Sequence, residues 1–522
     1  MKKLLLIMTL SICMFGLNAQ EIGDWEYADY GDYKFQYKII SLTPPECKLD
    51  AAWIYSEDAE IVIPSSVSID GNEYAVVDLD DSFNLGKSIY IPKTIRTISG
   101  IPFYGSTISK VTFENNSQLT KLEHSTFANA SSLSSIDFGD NSELTIIEGF
   151  CGSTGVFHNC TSLTNVDFGK NSKLKSIGGG TETPGGTGIF SDCTSLKNIR
   201  IPSSVTKLGA YVFEGCTSLI SVEFDSNSKL DTIGDSAFDE CYALKNVDLS
   251  KCSKLKSIDS YVFSDCSSLE NIKLPNTIEE IGYSTFGNCF SLKNINLSQC
   301  TKLKYINSSA FEKCQSLINI ELPIGVEEIG NAAFYMCSSL QNINLINTKL
   351  TAIRTQSFSG CSSLTSVILP GTISIIEHYA FSGCSELRSL MCYAESVPSI
   401  NISAFDGCPD DLVVFVPAVS VALYKSDFTW GQYIIKPLEE LNMVEFISEN
   451  EINIYPNPAK DNLFIETDVE IEDVCVYDIN GILVYKGLIY DNTLDVVNLN
   501  CGVYFVKVKI NNKEIVKYFV KE

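Results

Sequence analysis

The chain is 522 residues long and carries 64 acidic against 38 basic side chains, a formal charge of −26. A surface with that balance repels phosphate backbones and argues against nucleic acid as a partner. Charged residues make up 20% and, past residue 20, no apolar run reaches the roughly 18 residues that span a bilayer, so neither disorder nor a membrane protein is indicated.

Residues 1–19 read as a secretory signal: Lys2 and Lys3, an apolar run over 4–17, then Asn18 and Ala19, with cleavage expected after Ala19. Leu17 stands where a small residue is usual. A lipid anchor at Cys13 is disfavoured because Ile12 occupies a position that such signals keep small. Residues 20–110 follow a loose register, as expected of an N-terminal cap with degenerate repeats. Two strand-then-proline phrases already occur there, Ile61-Val62-Ile63-Pro64 and Ile89-Tyr90-Ile91-Pro92, and Asp70-Gly71 predicts a hairpin turn between β-rich runs.

Residues 111–410 form a repeat array. Phenylalanines at 127, 157, 190, 213, 238, 263, 286, 311, 334, 358, 381 and 405 recur mostly every 23 to 25 residues, all but Phe127 followed by Cys at the third position and all but Phe405 by Leu at the sixth. A unit this short cannot bury its apolar face alone. Stacked on copies of itself it can, which predicts a β-rich solenoid of parallel strands and short helical turns. Phe and Cys three apart fit one tight turn, and runs such as Asn246-Val247-Asp248-Leu249 alternate as a half-buried strand does. At about 4.8 Å per unit, a dozen units give a rod on the order of 60 Å long. The shorter units end their strand in Pro (Pro202, Pro275, Pro323, Pro370); the longer ones end in a polar loop, so length varies only in a turn. Two adjacent units carry inserts, at 149–156 and 178–189, expected to bulge from one face either as tolerated surface loops or as binding loops.

Residues 411–438, with Val413 to Val416, Tyr424, Trp430 and Ile434, are expected to lid the open end of the stack, and 439–446 to be a linker. Residues 447–522 hold roughly seven short β-rich runs between turn signals, which predicts a small Ig-like β-sandwich.

Two stretches resemble known families. Ile-Gly pairs (Ile233-Gly234, Ile281-Gly282, Ile329-Gly330), Ala-Phe pairs (Ala237-Phe238, Ala310-Phe311, Ala333-Phe334) and the recurring Phe-x-x-Cys make the array similar to the BspA-like leucine-rich repeat. Ile454-Tyr455-Pro456-Asn457-Pro458, Val476-Tyr477-Asp478-Ile479-Asn480-Gly481, Gly502-Val503-Tyr504-Phe505 and Lys517-Tyr518-Phe519-Val520 make the C-terminal stretch resemble the type A sorting domain of type IX secretion in Bacteroidota. The resemblance implies export to the periplasm, then handling by the type IX machinery and a place outside the cell; the apolar runs predict no transmembrane segment once the signal is removed. BspA-like proteins are associated with adhesion, although fold alone does not fix a ligand.

Chemistry is sparse. Eleven of 19 cysteines (Cys160, Cys193, Cys216, Cys241, Cys266, Cys289, Cys314, Cys337, Cys361, Cys384 and Cys408) share one repeat phase beside core Leu, with Ala130 in place of a twelfth. The phase wants something small and buried, and parallel Cβ vectors suit bridges poorly, so a ladder of free thiols is expected. Cys151, His158 and Cys160 are a nominal metal cluster lacking a fourth ligand. His124 and His378, each three residues before a Phe, lie about ten units, or roughly 50 Å, apart. With His158 isolated, no nucleophile and base are placed together, and neither a catalytic residue nor a cofactor is expected.

The outward strand positions remain. One column (Ser135, Asn165, Asn198, Ser221, Asn246, Asn271, Asn294, Asn319, Asn342, Ser366) suits either an amide ladder or ligand contact. The next runs from Asp137 to Ile368 and includes Asp167, Arg200, Glu223, Asp248, Lys273, Asn296, Glu321 and Asn344. These eight are the candidate ligand face, since a recognition surface has variable chemistry on a regular scaffold, as does a plain solvated face. The expected function is a secreted or surface-anchored binding protein, an adhesin contacting a host matrix protein or glycan through this face and the insert loops. The alternative is an envelope spacer without a specific ligand.

Overall fold

The computed structural model describes residues 21–438 except 81, 82, 84, 85, 124, 150–153 and 179–187, and residues 453–521 except 456–458, 468–470, 479–482, 488, 490, 491, 501, 511 and 512. The expected signal segment and linker, His124, Cys151, half of the first insert and most of the second lie outside the described residues. The chain divides into two compact units, Met1–Ile435 and Lys436–Glu522.

The first unit opens with strands β1 (Trp25–Asp29), β2 (Tyr33–Leu42), β3 (Pro45–Ile54), β4 (Glu60–Val62), β5 (Ser66–Ile69) and β6 (Asn72–Leu79). All but β4 join one sheet in the order β1-β2-β3-β6-β5. In β2 the alternation of Tyr33, Phe35, Tyr37 and Ile39 with polar residues puts the rings inside. Asp70 and Gly71 both take positive φ, 49° and 82°, and Ile69 pairs with Asn72, so the expected two-residue hairpin is present.

From β4 onward the chain coils. Coil after coil lays a three- or four-residue strand beside that of the previous coil, in register and parallel, in two ladders that part between Asn165–Asp167 and Asn198–Ile201. A second parallel ladder of two-residue strands, such as Ser257–Ile258 beside Glu280–Ile281, forms another side. The third side is a run of turns. Phe238 N–H donates to the Val262 carbonyl and Glu240 N–H to that of Ser264, so the coils are hydrogen-bonded to one another there as well. Among the described residues of this unit, helix occurs only at its end, chiefly Val421–Ser426.

One column of rings runs through the unit. Fourteen phenylalanines, from Phe83 to Phe405, stack with centroids 4.6–5.7 Å apart and planes within 21° of parallel. Phe83 and Phe103 extend the column beyond the Phe127 at which the sequence pattern begins. They lack the Cys three residues on, having Gly86 and Ser106 there. Phe35 meets the column at one end, and Trp430 and Tyr433 cover Phe405 at the other. The lid is pinned by Trp430 Nε1–H to the Pro398 carbonyl, 2.8 Å, and by the Tyr424 hydroxyl to that of Ala394, 3.0 Å.

The turn around each Phe is closed by an N–H from Cys to the Phe carbonyl three residues back, 3.2 Å for Cys193, which matches the tight turn expected from the spacing. It is not a continuous helix. The residue two after Phe is left-handed in coil after coil, as in Asn159, Asp192, Glu240, Lys313 and Met336, and so is the residue two before it in most coils, as in Tyr211 and Ser236. These are successive β-turns with a left-handed third residue.

The second unit is a small antiparallel β domain. Asn453–Tyr455, Asn462–Glu466 and Thr493–Asp495 form one sheet; Leu483–Gly487, Asp473–Asp478, Gly502–Ile510 and Lys513–Lys521 form the other. Leu463, Ile465, Val474, Val476, Val506, Val508 and Phe519 fill a core drawn from both.

Candidate ligand face and export domain

The thiol column has a role that smallness alone did not reveal. Each of its eleven cysteines donates its S–H to the carbonyl of the Phe one coil back, from Cys160 to Phe127, 3.1 Å, through to Cys408 and Phe381, 3.2 Å. That carbonyl already accepts the N–H that closes its own turn, so the thiol takes its second lone pair. All eleven carry no disulfide, and all but Cys408 are fully enclosed. Burial pushes the Cys160 and Cys361 thiols up to about 12 and raises Cys193 and Cys241 likewise, which keeps them neutral and unreactive.

The eight candidate face residues, Asp167 to Asn344, are all exposed; Asp167 ends one ladder and the seven from Arg200 to Asn344 stand on successive strands of the next. They divide by how their coil ends. Where a polar loop follows the strand, the side chain caps the turn. The Asp167 carboxylate accepts Gly169 N–H at 2.9 Å, Asp248 accepts the N–H and O–H of Ser250 at 3.0 and 2.5 Å, Asn296 those of Ser298 at 2.9 and 2.6 Å, and Asn344 the N–H of Ile346 at 3.0 Å. Asp137 does the same for Gly139. These are Asx turns, a local reason for Asp or Asn at that position. Partial burial of Asp248 opposes ionisation, but the Ser250 bonds and the nearby Lys273 and Lys251 outweigh it and hold the carboxyl below its usual range.

Where Pro follows the strand, no such turn exists to cap, and the position carries Arg200, Lys273, Glu321 or Ile368. Arg200 is held by a two-point pair to Asp225, 2.7 and 3.1 Å, from the next coil. Glu223 is the exception: its coil ends in a loop, yet Asp225 rather than Glu223 bonds the neighbouring backbone, at Ser203 N–H. The adjacent amide column bonds along the stack at Ser135–Asn165, Asn198–Ser221, Asn246–Asn271 and Asn342–Ser366.

A further group was not singled out from the sequence. Glu214 and Asp239 follow successive phenylalanines and share one stretch of turns with Asp192, Glu240 and Asp265. Burial first, then the neighbouring carboxylates, pushes Glu214 up to about 7; the same causes, partly offset by a Ser264 bond, bring Asp239 to about 6. The signal lay in the residue after each Phe, a column that the core pattern passes over.

His158 is not isolated. Its Nδ1 lies 2.9 Å from the Ser191 hydroxyl and 3.6 Å from an Asp192 oxygen. Ser191 also donates to the Gly188 carbonyl and is 1% exposed, so this contact pins two coils rather than presenting a nucleophile. His378 meets Asn401. No group of three metal-ligating side chains is found among the described residues. Of the inserts the edges are described: a Cβ on Gly155 would lie 1.9 Å from the Gly188 carbonyl oxygen, so the two insert-bearing coils meet backbone to backbone. No described helix is long and apolar enough to cross a membrane.

Comparison with known proteins bears on both units. The model of the BspA type leucine-rich repeat region matches residues 82–181, 186–305 and 296–411, and that of the secretion system C-terminal sorting domain matches 453–522. Among solved structures, the chain is similar to a leucine-rich repeat protein from Bacteroides ovatus, 24% identical over 81% of this chain and 100% of that one, with a TM-score of 0.48. It is similar too to the pneumococcal vaccine antigen PcpA, 19% identical over 80% and 100%, TM-score 0.44. A leucine-rich cell surface protein from Faecalibacterium prausnitzii is 23% identical over 75% and 94%, TM-score 0.37. No curated protein matches. The repeat fold is typical of binding proteins that are not enzymes, and no enzyme family is indicated. The sorting tail brings handling by the type IX secretion machinery and a location outside the cell. With the repeat model spanning more than half of the sequence, the chain belongs to the BspA-type leucine-rich repeat family, as a secreted surface protein with a C-terminal sorting domain.

Proposed function

We propose that the protein is an adhesin that binds a host matrix protein or glycan through the outward face of its parallel sheet. The observation that carries this reading is the set of exposed charged side chains at the Pro-ended coils, Arg200, Lys273 and Glu321, which have no turn to cap and project from a rigid scaffold. Asp167, Asp248, Asn296 and Asn344 support the face mainly by fixing its turns, with Glu223 beside Arg200 on the neighbouring strand. The inserts at 149–156 and 178–189 flank the same stretch of coils in sequence and are proposed to add to the contact.

The test is capture of immobilised matrix proteins and glycans by the secreted chain, wild type against a variant changed at Arg200, Lys273 and Glu321 together. Lost capture with unchanged melting supports the face, and unchanged capture refutes it. Export is tested separately: removal of residues 447–522 is expected to hold the protein in the periplasm, and normal display would refute the role proposed for the tail.

A further inference from the structure

The N-terminal cap holds an exposed aromatic surface. Two of the chain's three tryptophans stand on it, Trp25 at 55% and Trp53 at 41% exposure, with Tyr27 at 40% between them. Trp25 and Tyr27 meet edge to face at 5.0 Å, and Tyr27 and Trp53 at 5.7 Å, so the rings make a continuous path across the outer face of the sheet. Their opposite numbers on β2 are polar. Trp25 pairs with Lys38, Tyr27 with Gln36 and Trp53 with Lys34, whose ammonium lies 4.3 Å above the Tyr27 ring. The inner face of β2 is meanwhile fully committed to the core, so these rings are not there to close it.

Three exposed rings in contact cost hydration and contribute nothing to the interior, which marks a binding surface. The chemistry around them narrows the ligand. Donors placed directly beside ring faces suit a molecule with C–H faces and hydroxyl edges, that is, a sugar chain. Charge narrows it again. Lys34 and Lys38 form no ion pair among the described residues, although Asp29 stands opposite Lys34 on β1. We infer that the outer face of β1, β2 and β3 binds an acidic polysaccharide, its pyranose rings stacking on Trp25, Tyr27 and Trp53 and its carboxylate or sulfate groups meeting Lys38 and Lys34.

This site is separate from the strand face proposed above, and variants in one leave the other intact. Because Trp430 is fully buried in the lid, a change in tryptophan fluorescence reports on Trp25 and Trp53. The experiment titrates the full secreted chain with a chondroitin sulfate hexasaccharide and, in parallel, with neutral cellohexaose. Saturable quenching is expected with the sulfated sugar, weakened at least about tenfold by Trp53→Ala and several-fold by Lys38→Gln or added salt, with melting unchanged. Trp25→Ala, which retains the Trp53 reporter, is expected to weaken it as well. The inference is overturned if the sulfated sugar gives no quenching, if cellohexaose binds as tightly, if binding survives Trp25→Ala with Trp53→Ala as read by calorimetry, or if these tryptophans are needed only for an unglycosylated protein.

Discussion

Coils that end in Pro and coils that end in a polar loop share one interior and differ in what they do with the same outward position. In the loop-ended coils Asp137, Asp167, Asp248, Asn296 and Asn344 turn back on their own backbone; in the Pro-ended ones Arg200, Lys273 and Glu321 have no such partner two residues on. A column that looks like variable recognition chemistry is thus half turn chemistry. Which outward side chains have no turn to cap is set by where Pro falls.

The largest effect should ignore this division. Phe263 belongs to a Pro-ended coil and Phe286 to a loop-ended one, and each is sandwiched between two rings at 5.2–5.7 Å. Substitution of either by Ala is expected to cost about 4 kcal/mol in chemical denaturation. Costs differing by more than about 1 kcal/mol would show that the two coil types do not share one core.

At the strand end the division should appear. Asp248→Ala loses two charge-assisted bonds and is expected to destabilise by about 1.5 kcal/mol, while Lys273→Ala on the neighbouring strand should change stability by under about 0.5 kcal/mol. Equal effects would break the comparison. Acid sharpens it, because the Asp248 carboxyl is held below its usual range: its contribution is present above the unfolded value of 3.8 and lost as pH falls through the native one.

Glu214 and Asp239 run the other way. Native Glu214 keeps its proton up to about 7 and Asp239 up to about 6, against 4.5 and 3.8 when unfolded, so the native chain binds more protons across those windows. Their contribution to stability therefore falls as pH rises from about 4 to about 7. Glu214→Gln is expected to add about 1 kcal/mol at neutral pH, after allowance for solvent screening, and to flatten the melting profile over that range; an unchanged profile would contradict it.

The smallest effect is again shared. Lys313 and Met336, from a Pro-ended and a loop-ended coil, hold φ of 57° and 58°, and Gly at either should stabilise by about 0.5 kcal/mol in thermal melts. A loss at both would show that their side chains matter more than the backbone they strain.

Much of this was legible in the residues. Phe, Cys and Leu at fixed offsets announce a stack because a core shared by identical coils must repeat with them, and the Asp70-Gly71 hairpin follows from local turn chemistry. Phe83 and Phe103 escaped because Gly86 and Ser106 replace the Cys that marks the phase. The Asx turns escaped because the outward column was compared from coil to coil, whereas its logic runs two residues along the chain. The thiol bond to the preceding Phe carbonyl is a contact between coils that no spacing shows. The ring path on the cap depends on strand pairing in a region without repeats.

The central claim, that Pro-ended coils present the side chains that bind while loop-ended coils spend theirs on the fold, is tested most directly by measuring ligand capture and melting temperature on two variants of the secreted chain. One is changed at Arg200, Lys273 and Glu321, the other at Asp167, Asp248 and Asn344. The account predicts that the first loses capture at an unchanged melting temperature and that the second melts earlier. A first variant that captures as well as wild type would contradict it.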